Sequence, residues 1–475
     1  MPRWNVADLP PAPVFTRKQW TLLLGPGLLM GGAAIGGGEW LTGPIVTARY
    51  GGAMLWLATL SVLGQVIYNI EISRYTLYSG EPIFTGKFRT IPGPKFWIIA
   101  YLLLDFGSFF PYLAASAAVP LFTAINGELP FVSADPTVAD DESTLHWIGI
   151  AIFVFSMVPL IFGGKIYNSL KHIMSFKIVA VLGFLTVVAI FYSTVDTWKE
   201  IGSGFLKFGS VPIKRVEDLN GNGVLDDGED WDSDNRLDVI EPPLSLVIDD
   251  TAVGQTPEEF QIKAADGTVS SYRVSALPLT TTVDTDGDGL AEGPFRITKA
   301  DLERKYLDLD GDGTQDGDNI DNIFMAAASG RGLPPIDWSL VAFLSALVAI
   351  SGSGGLSNTP ISNYTRDQGW GMGKHVGAIP GMLGGHDLAL SHTGTVFHPD
   401  EESMPRWKRW YRHIVRDQLV VWMPACFLGL ALPSMLSVQF LARGTTTDNK
   451  WEASVMTAGA LRDAVGGGSL RTTFW

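Results

Sequence analysis

Cysteine is almost missing from this chain. Cys426 stands alone among 475 residues, which excludes any disulfide within the chain. It sits in an apolar stretch, where a single thiol packs as a small hydrophobe. Basic charge is also scarce: Lys and Arg total 34 against 49 Asp and Glu, for a net charge of −15. The positive footprint of a nucleic-acid binder is therefore lacking. No glycine loop closed by Lys and Ser or Thr is present to cradle a phosphate, which argues against ATP-driven transport. No nucleophile–base pair stands out, so the chain reads as a non-enzyme. Residues 1–16 are Pro-rich and lack the short apolar core and small-residue cleavage site of a signal peptide. They are expected to form a cytoplasmic arm, with the first span as the insertion signal.

Long apolar runs are abundant. Stretches of about 18 or more such residues suggest membrane-spanning helices, and the sequence offers seven. They run from about Trp20 to Tyr50, Ala53 to Ser79, Phe96 to Ile125, His146 to Phe162, Leu170 to Tyr192, Trp338 to Tyr364 and Ile414 to Leu441. Alternate loops are basic, with Lys87, Arg89 and Lys95, then Lys165 and Lys171, then Arg406, Lys408, Arg409, Arg412 and Arg416. The positive-inside rule places these loops and the N-terminus in the cytoplasm of a multi-pass cell-membrane protein. By parity, the long segment between the fifth and sixth spans lies outside the cytoplasm. Three regions follow: 1–195 with five spans, an acidic insert at 196–336, and 337–475 with two more spans.

Two spans are unusual. The first contains Gly31, Gly32 and then Gly36, Gly37 and Gly38 immediately before Glu39. The sixth reads Ser351-Gly352-Ser353-Gly354-Gly355-Leu356-Ser357-Asn358-Thr359-Pro360. Opened backbone at membrane depth is tolerated where protein or a water-filled cavity satisfies it. A pair of interrupted spans in corresponding places of two repeats points to a transport site. Close packing through small residues in the first span and a simple Pro kink in the sixth are the competing readings. Gly36, Glu39, Ser353, Asn358 and Thr359 are the candidate substrate-binding residues. Asp105 in the third span and Glu71 in the second are candidate proton-relay groups, since ionisable residues inside a span are functional by default; a buried or interfacial Glu71–Arg74 pair is the plainer alternative.

The segments Gly25-Pro26-Gly27-Leu28-Leu29, Gly36-Gly37-Gly38-Glu39-Trp40 and Ser73-Arg74-Tyr75-Thr76-Leu77-Tyr78-Ser79-Gly80 resemble the Nramp family of proton-coupled divalent metal transporters. The resemblance implies an all-α polytopic protein of the LeuT-type inverted-repeat fold. It also implies a metal bound between the first and sixth spans. The departures bear on the substrate: Gly36 stands at the family's Asp position, Glu39 at its Asn position, and Thr359-Pro360-Ile361 replaces its Met-Pro-His. Without a thioether, oxygen donors suit a harder cation such as Mg²⁺ or Mn²⁺. The family has about ten or more spans, so the seven here imply either a truncated chain or a divergent second repeat.

The insert carries 30 of the 49 acids within 196–337. Four Asp-x-(Asp/Asn)-x-(Asp/Asn) loops recur: Asp218, Asn220, Asn222, Asp226 and Glu229; Asp230, Asp232, Asp234, Asp238 and Glu241; Asp284, Asp286 and Asp288; and Asp308, Asp310, Asp312 and Asp316. Alternating oxygens of this kind curl around Ca²⁺ in EF-hand-type loops. The insert is therefore expected to hold structural Ca²⁺, a solvated acidic linker being the alternative. Alternating residues such as Phe260, Ile262, Tyr272 and Val274 predict a few strands between the loop pairs.

The expected partners are the lipid bilayer, a transported cation and protons. Three functions remain open. The first is a divalent-cation transporter, the second a transporter of a small organic solute such as an amino acid, and the third a membrane-anchored, Ca²⁺-dependent interaction protein.

Overall fold

The computed structural model describes residues 2–14, 25–36, 38–132, 140–161, 165–213, 245–247, 259–263, 269–273, 279–283, 292–297, 320–329, 333–334, 336–382, 390–391, 393–441 and 451–464. It is mostly helical. The membrane part comprises α1 (Pro26–Ala34), α2 (Gly43–Tyr50), α3 (Trp56–Ser79), α4 (Ile83–Phe88), α5 (Pro94–Leu104), α6 (Tyr112–Asn126), α7 (Glu142–Ser156), α8 (Val158–Ile161), α9 (Ile166–Tyr192) and α10 (Val195–Gly204). After the insert come α11 (Ile323–Ser329), α12 (Val341–Ile350), α13 (Pro360–Asp367), α14 (Gly373–Val376), α15 (Ser403–Arg416), α16 (Met423–Phe440) and α17 (Glu452–Ala464).

Among the described residues, three helical stretches are long and apolar enough to cross a membrane: Glu142–Ile161, Ile166–Tyr192 and Ser403–Phe440. A fourth arises if Trp40–Met54 and Trp56–Ser79, which meet at 93°, are joined as one span. The sequence count of seven differs because several apolar runs are interrupted. The third is two helices, α5 and α6, parted at Asp105–Pro111 by a 3₁₀ turn over Phe106–Phe109. Gly107 and Pro111 lie within that break, and Pro111 has no amide to continue a helix. The outer faces of these helices are apolar: Leu103, Leu104, Phe110, Leu113, Phe155, Phe176 and Phe191 are all exposed. Such a surface exceeds what water tolerates and suits lipid.

Both glycine-rich spans are broken. The first ends as α1 at Ala34, with Ile35 extended at φ −68°, ψ 93°. It resumes as a π-helical turn, Gly38–Thr42, that runs into α2. The sixth ends as α12 at Ile350, and Ser351 turns out at φ −66°, ψ 107°. Gly352, Gly354 and Gly355 follow at φ 87°, 66° and 52°, values costly for residues with a Cβ. A Cβ at Gly354 would also run into the Ala349 carbonyl oxygen. A 3₁₀ turn, Gly355–Asn358, then leads to α13, where Pro360 occupies the first turn, a favoured place for it. The half-helices pack in crossed pairs: α1 lies against α13, and the Gly38–Thr42 turn lies against α12.

The core is layered along α3. Val46, Met54, Leu55, Leu185, Val188 and Leu430 fill one end, and Met30, Val62, Val66, Trp422 and Cys426 fill the middle. Cys426 is thus a packing residue, as its apolar context predicts. At the other end the N-terminal arm is docked. Strand β1 (Asn5–Val6) pairs in parallel with β9 (Thr395–Val396). Leu9 and Ala12 are buried among Leu77, Trp370, Phe397 and Trp410.

The described part of the insert is antiparallel sheet. Strands β3 (Ser245–Val247), β4 (Glu259–Lys263) and β5 (Val269–Arg273) form one sheet, with Phe260 opposite Tyr272. Strands β6 (Leu279–Val283) and β7 (Glu292–Ile297) form a hairpin. The strands expected around Phe260, Ile262 and Tyr272 are present; Val274 lies outside the described residues. The base of the insert is a stem: β2 (Ser210–Pro212) pairs with β8 (Ile320–Asn322). Helix α10, assigned to the insert from sequence, packs on the membrane part instead, with Ile201 in its core.

Candidate functional site

The break in the sixth span is held by one side chain that the sequence reading passed over. Gln65 on α3 is nearly buried, at 9% exposure. Its Oε1 accepts from Ser353 N at 3.1 Å, Gly354 N at 2.9 Å and Asn358 Nδ2 at 2.9 Å. Its Nε2 donates to the Ser351 carbonyl at 2.6 Å and to Ser61 Oγ at 2.9 Å. Ser61 Oγ in turn donates to the Val348 carbonyl at 2.5 Å. An amide suits the task because it offers acceptor and donor atoms on one group. The sequence marks Gln65 only as one of two amides, with Asn69, in the apolar run of α3.

Around this knot two oxygens are uncommitted. Asn358 is fully buried, and its Oδ1 has no hydrogen-bond partner; neither has Ser353 Oγ. Thr359, by contrast, donates its hydroxyl to the Leu356 carbonyl at 2.6 Å. Of the five predicted binding residues, the structure brings Ser353 and Asn358 together through Gln65. Gly36 lies in the facing break of the first span. Glu39 is the second residue of the π-helical turn there, and its side chain lies outside the described residues. Turns of this kind inside helices recur at functional sites.

A second polar cluster lies at the amino end of α1. Asp417 is 1% exposed and belongs to another π-helical turn, Asp417–Trp422, between α15 and α16. Its Oδ2 accepts from Gly27 N at 2.7 Å and from Gln418 Nε2 at 2.9 Å. Gln418 Oε1 accepts from Asn69 Nδ2 at 3.0 Å. The carboxylate therefore caps the positive end of the half-helix.

A third cluster ties down the arm. Glu81 accepts from Arg89 Nη2 at 2.5 Å, Arg89 Nε at 2.8 Å, Tyr75 Oη at 2.8 Å, Trp4 Nε1 at 3.1 Å and Gly394 N at 3.1 Å. Burial pushes the Glu81 carboxyl up, but the bonds from Arg89, Trp4 and Tyr75 and the Arg89 charge outweigh it, so the net shift is downward. Arg89 also donates to the Pro2 carbonyl and sits over the Trp4 ring at 4.9 Å.

The two predicted relay acids sit elsewhere. Asp105 lies at the break in the third span and lines a cleft of about 470 Å³ with Phe84, Phe88, Ile98, Tyr101, Leu102 and Leu356. Leu356 belongs to the sixth-span break, so this cleft abuts the candidate site. Glu71 is exposed on α3 and pairs with Arg74, the plainer of its two readings. All the predicted Ca²⁺ ligands, from Asp218 to Glu241, Asp284 to Asp288 and Asp308 to Asp316, lie outside the described residues. Among the described residues no group of three or more His, Cys, Asp or Glu is placed to hold a metal. No protein-family model matches the chain, and neither a curated protein nor a solved structure does.

Proposed function

We propose that this chain is a secondary membrane transporter of a divalent cation, driven by protons, on a LeuT-type scaffold with its first and sixth spans as the discontinuous pair. One observation carries the reading: two glycine-broken helices pack half against half, and the opened backbone of one is propped by a side chain from a third helix. Continuous helices would serve a structural anchor better, since a break costs hydrogen bonds that must be replaced. The uncommitted oxygens of Ser353 and Asn358, with the Glu39 carboxylate, would form a hard donor set suited to Mg²⁺ or Mn²⁺.

The topology in this reading puts the N-terminal arm in the cytoplasm and the insert outside. In support, the docked arm and the insert stem lie at opposite ends of α3. The arm packs on Leu77 near its C-terminus, while Trp56 Nε1 donates to Ser210 of the stem at 2.8 Å and Thr59 Oγ1 to Phe205 at 2.8 Å. A helix of 24 residues spans about 36 Å at 1.5 Å per residue, enough to cross a bilayer.

The test is flux into proteoliposomes across a panel of Mg²⁺, Mn²⁺, Fe²⁺ and amino acids, with and without a pH gradient. Uptake of a divalent cation that Glu39→Gln abolishes, with expression intact, supports the reading. Amino-acid uptake alone replaces the cation with an organic solute. No flux of any of these ends the transport reading.

A further inference from the structure

The buried acid at the amino end of α1 has chemistry the substrate site does not use. We propose that Asp417 is a proton-binding site that governs whether the cytoplasmic half of the first span stays docked. The proposal rests on the transport reading only in taking α1 as a half-helix that moves; its chemistry stands without a substrate. Ionised, Asp417 accepts from Gly27 N and Gln418 Nε2 through Oδ2. Its Oδ1 is fully enclosed and makes no well-formed hydrogen bond; the nearest donor on that side is the Gly25 backbone. An uncommitted carboxylate oxygen in a protein interior is where a proton adds. Protonation removes the negative charge that faces the α1 amides, and with it the attraction between charge and helix dipole.

The construction fits a releasable contact. Gly27 permits the approach: a Cβ there would fall 2.6 Å from Asp417 Oδ2. The backbone of Gly25 lies beside the same carboxylate. Helix α1 is nine residues long and ends in the extended residue Ile35, so it can swing as a unit without unwinding α2.

Among the described residues, the surrounding charges are few. From α9, Lys171 and Tyr167 interact electrostatically with Asp417, and the Tyr167 hydroxyl is buried without a hydrogen-bond partner. From α13 come Tyr364 and the Arg366–Asp367 pair, closed at 2.7 Å. From α15 come His413, packed edge-on to Trp370, and Arg416. On α3, Glu71 and Arg74 are paired on the exposed side. Helix α1 itself and α16 bring no acid or base to the contact beyond the thiol of Cys426. A proton arriving at Asp417 leaves Lys171 without its nearby counter-charge, which favours opening this end of the bundle to water.

Hydrogen exchange on the full chain in nanodiscs tests this without any flux measurement. Protection of the amides in peptides covering Gly25 to Met30, corrected for the intrinsic pH dependence of exchange, is followed from pH 8 to pH 5. Wild type is expected to lose protection on the order of tenfold across that range. Asp417→Asn is expected to be poorly protected at pH 8 and flat with pH, and Asp417→Glu to keep a pH-dependent drop. A flat wild-type profile, or Asp417→Asn protected like wild type at pH 8, overturns the proposal. If Asp417→Asn loses protection in α3 and α9 as well, the wild-type and Asp417→Glu profiles decide. A protein that moves no cation yet shows the pH-dependent release refutes transport and leaves the proton site standing; intact flux with a flat profile does the reverse.

Discussion

Replacing Gln65 by Leu would remove the prop from the sixth-span break while keeping a side chain of similar volume. Three buried backbone groups lose their partner at once: the amides of Ser353 and Gly354 and the carbonyl of Ser351. The Asn358 side-chain amide loses its partner too, and Ser61 keeps its bond to the Val348 carbonyl. An orphaned buried group costs about 1–3 kcal/mol. Water entering so polar a break offsets part of that, so the net loss is expected at about 3–5 kcal/mol. Gln65→Glu keeps the acceptor oxygen and, protonated in this buried place, can still donate once to the Ser351 carbonyl while losing the bond to Ser61, so it should cost less, about 1–3 kcal/mol. Thermal unfolding in detergent, followed by tryptophan fluorescence, gives the order wild type, Gln65→Glu, Gln65→Leu. Flux should fail in Gln65→Leu at temperatures where the protein is still folded, because the break would rearrange before the bundle melts. A Gln65→Leu protein that melts and transports like wild type would show that the opened backbone needs no partner from α3, and the argument would fall.

The arm should respond to acid. The folded pKa of Glu81 is depressed, so its contribution to docking is complete above the ordinary carboxylate pKa of about 4.3 and is lost as pH falls through the lower folded value. Limited proteolysis should therefore leave residues 2–14 intact at pH 7 and cut them at strongly acidic pH, while Glu81→Gln, which leaves Arg89 largely buried without its counter-charge, should be cut at pH 7, with docking weakened by about 3 kcal/mol; protection of the arm in that variant would count against the cluster. Titration of the full chain with Ca²⁺ should give saturable binding heat that chelator abolishes, and should protect the insert from protease. No heat at millimolar Ca²⁺ would leave the insert a plain acidic linker.

The breaks in the first and sixth spans were legible because glycines cluster there in apolar runs, and the positive φ at Gly352, Gly354 and Gly355 is the conformation only glycine enters freely; Gly31 and Gly32, within α1, by contrast serve close packing. The long helix Ile166–Tyr192 was legible from about Leu170 on, although it begins earlier and takes in Lys171, which the charge pattern had put in a loop. The break at Asp105–Pro111 was hidden because the apolar run continues across it. Gln65 and Asp417 were missed for a different reason. A polar residue's role depends on which distant backbone it meets, and these two reach residues 286 and 390 positions away. Nothing in local periodicity encodes such pairings. The docking of the arm was likewise invisible, since Leu9 and Ala12 carry no periodic pattern and are buried only because Trp370 and Trp410 come from far along the chain.

The two-stranded stem makes the acidic segment a detachable module. With Pro212 directly opposite Ile320, the chain leaves and rejoins the membrane part at nearly the same point. Closing that gap with a short turn would leave the bundle's connectivity unchanged, and lengthening it adds little chain-closure entropy. A graft at such a seam alters the insert without disturbing the helices it leaves and rejoins, so the two parts are free to diverge at different rates.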